Sequence, residues 1–187
     1  VSRTDAIDVD FSEVLLANTV STQTIHFHDQ FGTVVEDDLV LTGDQVSVSP
    51  VVDLGGDRDY RLQMAGGASG VADIAGNSLT SDWFVDFKTA QDTSPPFVVS
   101  SWPDSITVSP LAHVRLGFSE SVDPGSVEPS SIVFVDQFAN FVIFDVFASP
   151  DQRALRLAPT TPLVPGRAYA AAVLAGTGAV TDMSSNE

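Results

Sequence analysis

The sequence predicts an all-β chain built as two tandem β-sandwiches. Three observations carry that expectation. First, the chain repeats itself: VDFSEVL at residues 9–15 is answered by LGFSESV at 116–122, and TIHFHDQFGTVV (24–35) by SIVFVDQFANFV (131–142), both 107 residues on. DYRLQMAGGASGVADIAGN (59–77) is answered by AYAAAVLAGTGAVTDMSSN (168–186), 109 residues on. A period of this size is too long for a solenoid repeat and suits a small complete domain. Second, both copies consist of short β-branched and aromatic runs, many alternating, separated by Gly, Pro, Asn and Asp. Third, no stretch has the length and periodicity of an amphipathic helix. About seven short strands per hundred residues is the density of a β-sandwich.

In chain order, copy one offers strands at AIDVDF, TIHFH, VVEDDLVL, QVSVSP, DYRLQM and WFVDFKT. Copy two offers FVVSSW, HVRLGFS, SIVFVD, FVIFDVFA, ALRLAP and AYAAAVL. LLANTVS (15–21) and DPGSVEP (123–129) each have room for one helical turn after the first repeated strand. The change of offset from 107 to 109 fits a longer turn, SPDQRA, where copy one has GDQ. Pro95 and Pro96 stiffen a linker ahead of FVVSSW, so the boundary is expected near Asp92, giving domains 1–91 and 92–187. Copy one has no counterpart of PPFVVSSWP, and copy two none of SLTSDWFVDFKTA. Each sandwich is therefore expected to lack an outer strand, the first in copy one and the last in copy two, either lost from the fragment or supplied by a neighbour. The chain opens with VSRTDAIDVDF, without initiator Met or signal sequence, and reads as a segment of a longer protein.

The 187 residues carry a net charge of −17, from 20 Asp and 5 Glu against 7 Arg and one Lys. That balance argues against a nucleic-acid partner, which needs clustered cations, and against a role on anionic lipid. No apolar run is long enough to insert in a membrane. At 43% hydrophobic residues the chain can still build two cores. The excess of Asp over Glu has three readings: solvated turns, calcium bound at loops, or adaptation to a salty medium. With no Cys, thiolate metal sites and thiol catalysis are excluded.

The ordered motifs FSE-x-V-D-P-x-S-V, SIVF, a Pro-ending strand, LVPGRAYAAAV and TDMSSN resemble the bacterial Ig-like domain first named from S-layer proteins. Copy one follows the same frame with FSEVLLANTV, TIHF, VSVSP, DYRLQM and ADIAGN, departing from it where LLANTV replaces the DPGSV turn. The resemblance implies two Ig-like Greek-key sandwiches in a secreted or cell-surface bacterial protein. It also implies a non-catalytic spacer, stalk or lattice role beside neighbouring Ig-like domains of the same chain. An adhesin-like or carbohydrate-binding accessory module, engaging a cell-surface protein or glycan, is the alternative.

Individual residues fit a structural account. Phe11 and Phe118, with Val9 and Leu116, are matching inward positions. Tyr60 and Tyr169 match as core tyrosines whose hydroxyls bond nearby backbone. Trp83 and Trp102 read as packing or interdomain contacts. Glu13 and Glu120 are matched scaffold positions in different domains, not a glycosidase pair. His26 and His28 share one strand face, but copy two has Val133 and Val135 there. With His113 they read as structural histidines, and no catalytic triad can be assembled. The Gly-rich GGAS and AGTGA lack the Lys and helix of a phosphate loop. Asp73 with Asn77, and Asp182 with Asn186, are expected to cap a turn. One sharper expectation concerns acidic loops at the joint: Asp53, Asp57, Asp59, Asp92, Glu120, Asp123 and Asp182 are candidate calcium ligands. No other cofactor is expected.

Overall fold

A computed structural model describes residues 3–104, 107–128 and 130–187. The chain divides into two compact units, Val1–Gln91 and Asp92–Glu187. In the first unit, β1 (Ile7–Asp10), β4 (Gln45–Pro50) and β3 (Asp37–Thr42) form one sheet. In the second sheet, β5 (Asp59–Met64) lies between β2 (Ile25–Asp29) and β6 (Trp83–Lys88). In the second unit, β7 (Val98–Trp102), β8 (Val114–Phe118), β11 (Ala154–Pro159) and β10 (Phe144–Ala148) form one sheet. There β9 (Ile132–Asp136) pairs with β12 (Tyr169–Val173) in the other. All these pairings are antiparallel.

The repeat maps strand onto strand: β1 to β8, β2 to β9, β3 to β10, β4 to β11 and β5 to β12. That leaves β6 and β7 without counterparts among the described residues, which is the pattern of one absent outer strand per sandwich. The offset changes where expected. Gly43 and Asp44 alone link β3 to β4, whereas residues 149–153 link β10 to β11, closed by Ser149 N donating to Ala154 O at 2.8 Å. Both predicted helical segments hold a single 3-10 turn, at Ala17–Thr19 and Pro124–Ser126.

Period-2 alternation places one face of each strand in a core. In the first unit Val46, Val48, Leu62, Met64, Ile25 and Phe27 are buried, with Val9 and Phe11 packed against them. Tyr60, Phe27 and Phe87 form a cluster of rings with centroids 5.8–6.0 Å apart. In the second unit Leu116, Phe118, Ile132, Leu155, Leu157 and Val180 do the same work. Both tyrosines meet their expected partner. Tyr60 Oη accepts from Gly55 N and Tyr169 Oη from Val164 N, each at 2.8 Å and each five residues upstream.

Candidate functional site

The acidic residues are best understood from the backbone upward. Asp73 Oδ1 accepts from the N–H groups of Ala75 and Asn77 at 2.8 Å, and its Oδ2 from Asn77 Nδ2. Asp182 repeats this with Ser184 N (2.7 Å), Asn186 N (2.9 Å) and Asn186 Nδ2 (2.8 Å). These are the two caps expected from the sequence. The same device recurs at two turns that sequence reasoning missed. Asp29 binds the N–H groups of Phe31 and Thr33, and Asp136 those of Phe138 and Asn140. The signal was available in the repeated DQF. An Asp two and four residues ahead of the donors has the reach for this, and Glu, one methylene longer, does not hold the same geometry.

Asp136 is the most strongly engaged. It accepts from Asn140 Nδ2 and from Arg167 Nη1 at 2.7 Å. The Asn140 amide, two backbone N–H groups and Arg167 together hold its carboxyl at about 2, below the ordinary 3.8. Asp73 is lowered too, chiefly by the Asn77 side chain, and Glu13 also bonds to it. Asp37 at the start of β3 moves the other way. Burial raises its pKa, neighbouring Asp38 adds to the effect, and its buried Oδ1 has no hydrogen-bond partner.

Of the seven candidate calcium ligands, the structure brings three together. Asp92, Glu120 and Asp182 each place a carboxylate oxygen within 4.8 Å of the others, with Glu120 and Asp182 buried. Asn186 Nδ2 reaches both Asp182 Oδ2 (2.8 Å) and Asp92 Oδ2 (3.2 Å), tying the linker aspartate to the turn. Asp123 is engaged elsewhere, its Oδ1 accepting from Gly125 N at 2.9 Å to cap the 3-10 turn. In the first unit Asp57 pairs with Lys88 at 2.8 Å, Asp53 is buried, and Asp59 is exposed where it opens β5. Among the described residues, Asp53, Asp57 and Asp59 form no such group. Glu13 and Asp73 stand where Glu120 and Asp182 stand, so two of the three carboxylates are part of the repeated frame.

His26 is exposed and His28 half-buried on β2, opposite Gln63 and Arg61. Trp83 lies on the outer strand β6 and is exposed. Trp102 ends β7 with its ring 5.9 Å from that of His113. Beside them a cleft of about 760 Å³ opens in the second unit, with Leu116, Phe134, Leu163 and Tyr169 in its walls.

Two sandwiches of repeated sequence, each with a tyrosine bound to backbone and Asp-anchored turns, define a tandem Ig-like protein. The family model described as bacterial Ig-like domain matches residues 1–89 and again 92–187, and the chain belongs to that family. A search of curated proteins found no match. Domains of this family are typically found in extracellular bacterial proteins and are generally non-catalytic. No helix among the described residues is long and apolar enough to cross a membrane.

Proposed function

We propose that the chain is a non-catalytic spacer or stalk segment of a bacterial surface or secreted protein, of the kind that also builds S-layer lattices. The observation that supports this reading is the duplication itself. The same frame is built twice, each time around its own core, and matched residues such as Asp73 and Asp182 bond the backbone of their own turns. Pulling single molecules of the whole chain tests it. A spacer gives two unfolding events of similar contour length, about 300 Å each at roughly 3.5 Å per residue. Unfolding at negligible force would overturn the mechanical role.

The adhesin-like or glycan-binding alternative draws its support from the exposed Trp102 and the half-buried His113 that line the cleft. Glycan-array screening separates the two. Saturable binding lost in Trp102→Ala would displace the spacer reading.

The acidic group supports a further element of the same proposal, a calcium ion held by Asp92, Glu120 and Asp182. The donors are all oxygen, as a hard cation requires, and three of the six to eight ligands calcium takes would come from them. Such an ion would tie linker residue Asp92 to the Asp182 turn more firmly than Asn186 does alone. Calorimetric titration at constant ionic strength decides it. Saturable calcium binding weakened by Glu120→Gln and Asp92→Asn supports the ion, and equal heats for calcium and a matched sodium control remove it.

A further inference from the structure

The outer faces of the matching sheets differ in charge between the two units. In β8 and β11, Leu116, Phe118, Leu155 and Leu157 are buried in the core. By period-2 alternation Arg115 and Arg156 point outward, and both are exposed. Cross-strand pairing sets them in one row: Phe147 lies opposite Arg156, Arg156 opposite Arg115, and Arg115 opposite Trp102. Across four strands at the usual spacing that row is about 14 Å long. The Arg156 guanidinium lies over the Phe147 ring, 4.3 Å from its centroid. Beside Arg115 and Trp102 the small residues Ser100, Gly117 and Ala154 leave a hollow of about 360 Å³.

Like charges directly opposite on a sheet are destabilising, and this pair has no carboxylate of its own. Arg61 and Arg167 are paired with Asp86 and Asp136, but among the described residues Arg115 and Arg156 form no ion pair. Asp145, opposite Ala158, is the only carboxylate in the four strands. In the first unit the same frame carries the other sign. Asp8 stands where Arg115 does, Ser47 where Arg156 does and Val40 where Phe147 does, again in one row. Asp10 and Asp38 share that face and are exposed like Asp8, and β1, β3 and β4 hold no Lys or Arg.

We propose that the Arg115–Arg156 face of one copy binds the Asp8–Asp38 face of a second copy of the chain. The composition of the row suits a protein partner, since Trp, Phe and Arg are enriched at protein interfaces. Guanidinium groups match carboxylates in geometry as well as in charge, so the contact gives the arginine pair the carboxylates it lacks in its own chain. The net charge of −17 opposes approach at long range. At physiological ionic strength, however, charges more than about 8 Å apart are largely screened, while pairs enclosed in a contact are screened much less. Each chain carries one face of each sign, so the contact is heterologous and can pass from copy to copy. It goes beyond the spacer reading and does not depend on it, because a single copy resists force whether or not copies meet.

Sedimentation velocity of the whole 187-residue chain, from micromolar to millimolar at physiological ionic strength, tests the contact. The expected result is reversible, concentration-dependent association, weakened roughly ten-fold or more in the Arg115→Asp, Arg156→Asp variant. The Asp8→Arg, Asp38→Arg variant weakens it likewise. All four positions are exposed, and circular dichroism identical to the parent's separates a lost contact from a lost fold. Mixing the two folded variants restores association, because the reversed faces complement each other and the unreversed ones still do. No association of the parent chain at millimolar concentration overturns the proposal. So does association that survives either reversal, or a mixture that stays monomeric.

Discussion

At the scale of single residues, the chain spends its aspartates on backbone. Asp29, Asp73, Asp136 and Asp182 each close a turn whose fourth residue has a left-handed backbone: Gly32 (φ 79°), Gly76 (φ 87°), Ala139 (φ 63°) and Ser185 (φ 67°). An L side chain in that region costs about 1–2 kcal/mol and glycine avoids the cost. Ala139→Gly is therefore expected to stabilise the second unit by about 1 kcal/mol and Gly76→Ala to destabilise the first by a similar amount, read from denaturant midpoints. The same aspartates set the acid response. The folded carboxyl of Asp136 titrates at about 2 against 3.8, so its stabilisation is present above pH 4 and is lost as pH falls toward 2. Asp136→Asn then lowers the thermal midpoint at pH 7 and narrows the gap to the parent at pH 2. Asp37 has the opposite sign. Its pKa is raised, so its ionised form works against folding above that value and the penalty disappears as the group protonates. Asp37→Asn is expected to raise the midpoint at pH 7 and to bring no gain below pH 3.8. A midpoint-versus-pH series on both variants checks the two signs together. The caps at Asp73 and Asp182 were legible because D-x-x-x-N stands in both copies. The turns at Asp29 and Asp136 were not recognised, because the fifth residue is Thr in one and Asn in the other.

At the scale of elements, strand positions were legible because alternation has a fixed period and the repeat shows each strand twice. Close backbone approaches were not, since they depend on which segment passes over which glycine. Gly66 is the clearest case. A Cβ there would collide with the Ser81 backbone, and Asp82 just beyond binds both Gly66 N (2.8 Å) and Gln63 Nε2 (2.9 Å). Gly66→Ala is expected to lift the start of β6 from β5 and to cost about 1–3 kcal/mol, the range for forced overpacking. Faster amide exchange at residues 83–85, with β2 unchanged, is the signature. Exchange unchanged in β6 would mean the strand is held by Val85 and Phe87 alone.

At the scale of the whole molecule, a net charge and a count of aspartates say how acidic the chain is and not where the charges meet. The expected set of seven ligands came from loop order alone, and the structure resolves it into a close group of three, an ion pair at Asp57, a helical-turn cap at Asp123, a buried Asp53 and an exposed Asp59. Core membership is clearer. The buried cluster around Val46, Val48 and Leu62 lies wholly within residues 1–91, and that around Leu155, Leu157 and Ile132 wholly within 92–187. Two separate cores predict two cooperative transitions. The second unit, in which Tyr169, Ala171 and Val173 are half-buried where Tyr60, Leu62 and Met64 are buried, is expected to melt first, because less apolar surface leaves water on folding. Leu62→Ala and Leu157→Ala each remove a fully buried side chain, a loss of about 2–5 kcal/mol. For units of this size that lowers a midpoint on the order of 10 °C or more. Scanning calorimetry should show Leu157→Ala moving only the lower transition and Leu62→Ala only the upper one. If both substitutions shift one shared transition, the units unfold together, and self-contained modules no longer explain why the frame was duplicated.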